Sequence, residues 1–293
     1  AAGETGLSEG TPVIAGTADA ASEAVSAGVL HPGDTMVMYG SSVFIIRLFD
    51  SRPAGGIFWP APSLFPGTHA LAAGMSTTGA ITQWFREQFA ADERATEESG
   101  GENAYASLAR SAGEVPPGAE GLMALPYFSG ERTPLNDPDA RGVIAGLTLR
   151  HSRAHVYRAL LEGVAFGVRH NLEEMAARAG DAGDQGDGRT GALVAIGGGA
   201  ANRVWMQIIA DVLGRPHTVR STPGACYGDA ALAAVAAGEL SPGDLEDWAP
   251  AGEEITPSPA QDVYERLYPL YRDLYRRSAE TVHALADFAG SGE

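Results

Sequence analysis

Leu193-Val-Ala-Ile-Gly-Gly-Gly-Ala-Ala-Asn-Arg-Val-Trp-Met-Gln-Ile-Ile-Ala-Asp-Val-Leu213 places a short apolar run before three glycines, with an amphipathic segment starting at or just after Asn202. That order predicts a strand, a turn that exposes its backbone, and a helix N-terminus. Glycines let a ligand reach the main chain with no Cβ in the way. The helix start offers unpaired N–H groups and the positive end of a dipole. A nucleotide fits such a turn, and so does a tight strand-to-helix connection with no ligand. The spacing is neither the dinucleotide G-x-G-x-x-G nor a P-loop with its Lys and Ser/Thr.

The 293 residues carry 20 basic and 37 acidic side chains, a net charge of −17, and every basic residue is Arg. No basic face is available for nucleic acid or an anionic membrane, and any mechanism needing a Lys from this chain is excluded. No apolar run approaches the ~20 residues of a membrane span. The first ten residues lack the regions of a secretion signal. The single Cys226 fits a reducing, cytoplasmic setting and rules out an internal disulfide framework or a thiolate metal cage. The seven histidines show no metal spacing, so no metal ligands are assigned.

Outward from the glycine turn, short strands alternate with helices. Thr11–Ala15 reads as a short buried strand and Ala20–Gly28 as a helix. Met36–Tyr39 and Val43–Leu48 form a hairpin-like pair around Gly40-Ser41-Ser42, and Asp50–His69 reads as a long ordered loop. Helical period marks Ala80–Ala90 and Ala104–Ala112, and Leu122–Tyr127 reads as a strand. Ser152–Ala179 is expected to be the longest helix. Asp181–Thr190 reads as a solvated acidic tip, Pro216–Val219 as an edge strand and Tyr227–Gly238 as a helix. Residues 240–259 read as a linker and 260–288 as a terminal helix. The mixed order suits an α/β ribonuclease-H-like core better than a doubly wound sheet.

Several stretches, in order, resemble the C-terminal domain of the FGGY family of carbohydrate kinases. The longest runs from Leu125-Pro-Tyr-Phe-Ser-Gly-Glu-Arg-Thr-Pro134 through Asp137-Pro-Asp-Ala-Arg-Gly142 and Gly142-Val-Ile-Ala-Gly-Leu147 to His155-Val-Tyr-Arg-Ala-Leu-Leu-Glu162. The others are Gly16-Thr-Ala-Asp-Ala20, Tyr39-Gly-Ser-Ser42, the Gly197–Asn202 turn with Trp205-Met-Gln207, and Gly224–Ala234. The resemblance covers nearly all of residues 1–293. It implies an actin-like ATPase fold and the ATP-side, C-terminal half of a two-domain xylulokinase-like enzyme. The N-terminal, sugar-binding domain is expected to lie outside this chain and to be its partner, so the chain alone is expected to be inactive. The implied reaction is phosphorylation of a sugar hydroxyl, a ketopentose such as xylulose, by ATP with Mg²⁺. A non-catalytic nucleotide- or protein-binding module of the same fold is the alternative, and a homodimer is allowed.

The family's general base falls on Asp19, where a carboxylate can accept the sugar hydroxyl proton. Taken alone, Asp19 also suits the N-cap of the following helix. Gly40, Ser41 and Ser42 resemble a phosphate loop and equally suit a hairpin turn. Gly79 and Gln83, four apart on one helix face, resemble a stretch near the nucleotide; a packing glycine and a surface glutamine read the same way. Gly198, Gly199 and Asn202 match the adenosine element, with helix capping the alternative for Asn202. The charges Glu131, Arg132, Asp137 and Arg141 read as a solvated network supporting the cleft. Glu162 is expected on the buried side of its helix, satisfying a backbone group.

Overall fold

The computed structural model describes residues 2–61, 65, 67–178 and 191–290. In chain order the elements are α1 (Ala2–Thr5), α2 (Asp19–Ser26), β1 (Thr35–Tyr39), β2 (Val43–Phe49), β3 (Trp59–Ala61), β4 (His69–Met75), α3 (Gly79–Phe89), α4 (Ala91–Glu98) and α5 (Ala104–Glu114). There follow β5 (Met123–Leu125), β6 (Val143–Ala145), α6 (Arg153–Ala177), β7 (Leu193–Ile196), α7 (Arg203–Leu213), β8 (His217–Arg220), α8 (Ala225–Ala236), α9 (Leu245–Trp248), β9 (Gly252–Ile255) and α10 (Gln261–Gly290).

Seven strands form one sheet in the order β3-β4-β2-β1-β7-β8-β9. β2 runs antiparallel to β1 and β4, and β3 antiparallel to β4, while β7 lies parallel to β1 and β8 parallel to β7. This is the ribonuclease-H-like arrangement expected from the mixed element order. The chain moves outward from β1 through β2 and β4, then returns to place β7 on the other edge of β1. The loops leaving β1 and β7 therefore diverge at a topological switch point, where α/β sheets open a crevice.

Successive strand residues point to opposite faces. Val37, Tyr39, Val43 and Ile45 join the larger core, beneath α3, α5, α6, α7 and α10. Met36, Ile46 and Leu48 join the smaller one, on the face where α2 packs against α8. α6 is buried nearly all round, as a helix in mid-layer must be. Its Leu160, Leu161, Val164 and Val168 are fully buried, each contributing about 1.5–3 kcal/mol. Gly163 and Gly167 let β5 and β4 close on it: a Cβ at either would come within 2.3 Å of Ala124 O or the Met75 side chain.

Five sequence expectations are corrected. Thr11–Ala15 forms no strand; Val13 is 86% exposed, and both edges of β1 are already taken by β2 and β7. β8 is not an edge strand, because β9 pairs with it antiparallel. Residues 240–259 are consequently no plain linker but contain α9, which buries Leu245, and β9. The longest described helix is α10 with 30 residues, through Pro269, against 25 in α6. The loop at 50–69 also holds β3. The tip at 181–190 lies outside the described residues.

Candidate nucleotide cleft

A cleft of about 1050 Å³ opens at the switch point. Gly40 and Ser41, just after β1, form one part of its lining, and Gly79 and Gln83 of α3 form another. Gly198, Gly199 and Asn202, just after β7, complete this side. Three segments as far apart in sequence as Gly40 and Asn202 are thus brought to one cavity. Hydrogen bonds tie the first two together: Gly79 N–H donates to Gly40 O, and Thr78 and Ala80 N–H both donate to Ser41 O, each at 3.0 Å.

The glycines are there for different reasons. Gly197 has φ +91°, in the region that favours glycine, and its Cβ would lie 2.8 Å from Tyr39 O. A Cβ at Gly199 would come within 2.9 Å of the Tyr39 side chain and 3.2 Å of Trp205, and one at Gly79 within 2.5 Å of Gly40 O. Packing accounts for all three. Gly198 is different: its φ is ordinary and a Cβ there would meet nothing within 4 Å. Neither φ nor a close neighbour requires a glycine at 198, and the residue borders the open space of the cleft.

Asn202 is the N-cap of α7, its Oδ1 accepting Trp205 N–H at 3.0 Å. Its Nδ2 donates to no described group, so capping and facing the cleft coexist in one side chain. Gln83 lines the cleft and also donates to Glu87 Oε1 at 2.8 Å, one turn along α3. Ser42 belongs to the turn but not to the lining; its carbonyl accepts Gly40 N–H at 3.0 Å.

Asp19 is not brought into the cleft. It is exposed at the first position of α2, after the cap residue Ala18, and its Oδ1 accepts Ala20 N–H at 2.7 Å. The capping alternative therefore does not describe it. Glu23, one turn along, is pushed above the usual carboxylate range by burial and by the like charge of Asp19. Glu23 lines a second cavity of about 700 Å³ that shares Gly198, Ala201 and Arg203 with the first.

The sequence reading missed the opposite wall. Tyr105, Ala106, Ala109 and Arg110 of α5 face the cleft. Alanines at i and i+3 are the only signal they carry, and they match any helix packed closely on a neighbour. The cationic residues of the lining are Arg110, paired with Glu102 at 2.5 Å, and Arg203, paired with Glu253. Among the described residues the cleft therefore holds no uncommitted cationic side chain.

The polar loop at 129–141 is not the solvated network expected. Glu131 and Asp137 are 3% and 8% exposed. Asp137 Oδ2 accepts from Tyr275 and pairs with His283 of α10, both at 2.7 Å. Burial pushes Glu131 up to about 7, with N–H donors from Ser76 and Arg132 offsetting it only in part. An unfolded Glu ionises near 4.5, so between about 4.5 and 7 the folded state binds the extra proton and stability falls as pH rises. Above 7 the penalty is complete, on the order of 3 kcal/mol. Glu131→Gln cannot ionise, so from pH 5 to pH 8 it is expected to gain on the wild type by an amount of that order. Urea unfolding at the two pH values measures the gain, and parallel behaviour of the two proteins would refute it.

A ribonuclease-H-like sheet with a glycine-lined cleft at its switch point is the architecture of one domain of an actin-like ATPase. Residues 35–237 match the C-terminal domain of the FGGY family of carbohydrate kinases, and the chain belongs to that family. It is 31% identical to a xylulose kinase of Bacillus subtilis over 98% of its own length, and 32% identical to a ribulokinase of Geobacillus thermodenitrificans, also over 98%. The crystal structure of a xylulose kinase from Rhodospirillum rubrum superposes with a TM-score of 0.82 at 36% identity, covering 96% of this chain and 55% of that one. The chain spans 55% and 50% of the two curated relatives, about half their length. No described helix is long and apolar enough to cross a membrane.

Proposed function

We propose that the chain is the ATP-side half of a sugar kinase, and that the cleft between Gly40, Gly79 and Gly198 holds the nucleotide. The observation that carries this reading is Gly198, a glycine that neither backbone conformation nor packing requires, beside open space at the switch point. Gly40 and Ser41 would meet the phosphates through N–H and hydroxyl groups. Gly198, Gly199 and the free amide of Asn202 would take the adenosine side. With Arg110 and Arg203 already paired, backbone donors carry the protein's share of charge compensation. Bound Mg²⁺ supplies the neutralisation of phosphate charge that this lining does not.

Asp19 would accept the proton of the attacking sugar hydroxyl. In phosphoryl transfer most acceleration comes from positioning and electrostatics, which the loops after β1 and β7 would provide. The acceptor is a ketopentose of the xylulose type, in line with the named xylulose kinases among the relatives. The sugar pocket would come chiefly from an N-terminal kinase domain. Titration of the chain with MgATP tests the nucleotide half of this reading: saturable one-to-one binding is expected, because all three predicted nucleotide segments belong to this chain. No binding at millimolar MgATP would sink it.

A further inference from the structure

Glu131-Arg132-Thr133 takes the place of a strand along the end of β4. β3 pairs with β4 only as far as Ala72. Beyond it, Thr133 N–H donates to Gly74 O at 3.1 Å, and Gly74 N–H donates to Thr133 Oγ1 at 2.9 Å. Arg132 Nη2 donates to Met75 O at 2.9 Å. Ser76 N–H then donates to Glu131 Oε1 at 2.9 Å, one residue past the last β2–β4 pair at Met75. Without that carboxylate the Ser76 amide has no acceptor in the ladder.

Ser76 is the hinge of the turn that becomes the cleft wall. Thr78, Gly79 and Ala80 follow it, and their amides are the three that bond to Gly40 and Ser41. Glu131 is itself held rigidly. Its Oε1 also accepts Arg132 N–H at 2.8 Å, and its backbone exchanges two hydrogen bonds with Asp137, at 2.7 and 2.8 Å. Asp137 is in turn held by Tyr275 and His283 of α10. Among the described residues Glu131 Oε2 is buried with no partner, so the carboxyl's hydrogen bonds all run through Oε1, to Ser76 and Arg132. It lies outside the cleft lining.

We propose that Glu131 is a positioning residue for the cleft: through the Ser76 amide it fixes the turn bearing Gly79, and with it the Gly40–Ser41 loop bonded to that turn. Its effect on nucleotide affinity rests on the function proposed above; the positioning itself is measurable without nucleotide.

Amide hydrogen exchange on the nucleotide-free chain is the test. Loss of this hydrogen bond is expected to make Ser76, Thr78, Gly79 and Ala80 exchange about tenfold faster in Glu131→Ala, with β7 and α8 unchanged. The MgATP dissociation constant is expected to rise by about the same factor. Glu131→Gln keeps an oxygen acceptor and is expected to restore both. Unchanged exchange at the four amides overturns the proposal. So does uniform acceleration across the sheet, which reports only lost global stability. If Glu131→Ala does not fold, Glu131→Asp, a carboxylate one methylene too short, is put to the same comparison. A wild type that binds no MgATP refutes the nucleotide reading alone, and the exchange comparison still decides the role of Glu131.

Discussion

Asp19→Asn is expected to lower the turnover of sugar phosphorylation by about 10²–10⁴-fold while leaving the MgATP dissociation constant unchanged. The measurement needs a form carrying both kinase domains. Asn keeps the size of Asp and an oxygen for the Ala20 amide but cannot take a proton. Because Asp19 lines neither cavity, its loss should fall on turnover and not on nucleotide binding. An undiminished rate in the variant would remove Asp19 from the mechanism. A rise in the MgATP dissociation constant would instead place it among the nucleotide contacts.

Glu162→Ala is expected to cost about 3–5 kcal/mol of folding stability. Glu162 is 2% exposed and gathers three donors on Oε1: Arg158 Nε at 2.7 Å, Tyr264 Oη at 2.8 Å and Gly118 N–H at 2.9 Å. The last bears out the expectation that it satisfies a backbone group. Arg158, 6% exposed, also donates to Ala112 O and to Tyr264, so one buried cluster joins α5, α6 and α10. Burial works against the Arg158 charge, but Glu162 and Tyr264 outweigh it and hold the guanidinium above its ordinary range. Removing Glu162 leaves that charge buried and unpaired, which costs far more than the pair itself contributes. Replacing both Glu162 and Arg158 by Leu should therefore cost much less than Glu162→Ala alone. Urea unfolding at pH 7 measures both, and a loss below about 1 kcal/mol in the single variant contradicts this account.

What the sequence made legible was local. At 193–213 the strand, the glycine turn and the Asn202 cap are each set by neighbours in the chain, and all three form where expected. The hairpin around Gly40 formed for the same reason. The site residues were reached by the order of the motifs, and seven of the nine lie along one cleft. What was missed depends on distant partners. β9 is a four-residue strand in a Pro- and Gly-rich stretch, and only the open edge of β8 makes it a strand. Glu131 sits in a polar loop and looks solvated until Ser76, 55 residues earlier, proves to be its partner. Thr11–Ala15 has the composition of a strand but pairs with none of the seven in the sheet. The glycines show the limit most plainly: at 79, 197 and 199 the fold requires them, while at 40 and 198 neither φ nor a close neighbour does.

The most direct measurement is therefore a calorimetric titration with MgATP of the wild type and of Gly198→Val. A side chain at 198 would project into open space, so stability should change by no more than about 0.5 kcal/mol. If the nucleotide lies against that backbone, binding is saturable in the wild type and weakened at least about tenfold in the variant, the equivalent of ~1.4 kcal/mol. Equal affinity in the two proteins would place the nucleotide elsewhere and contradict the assignment of this cleft.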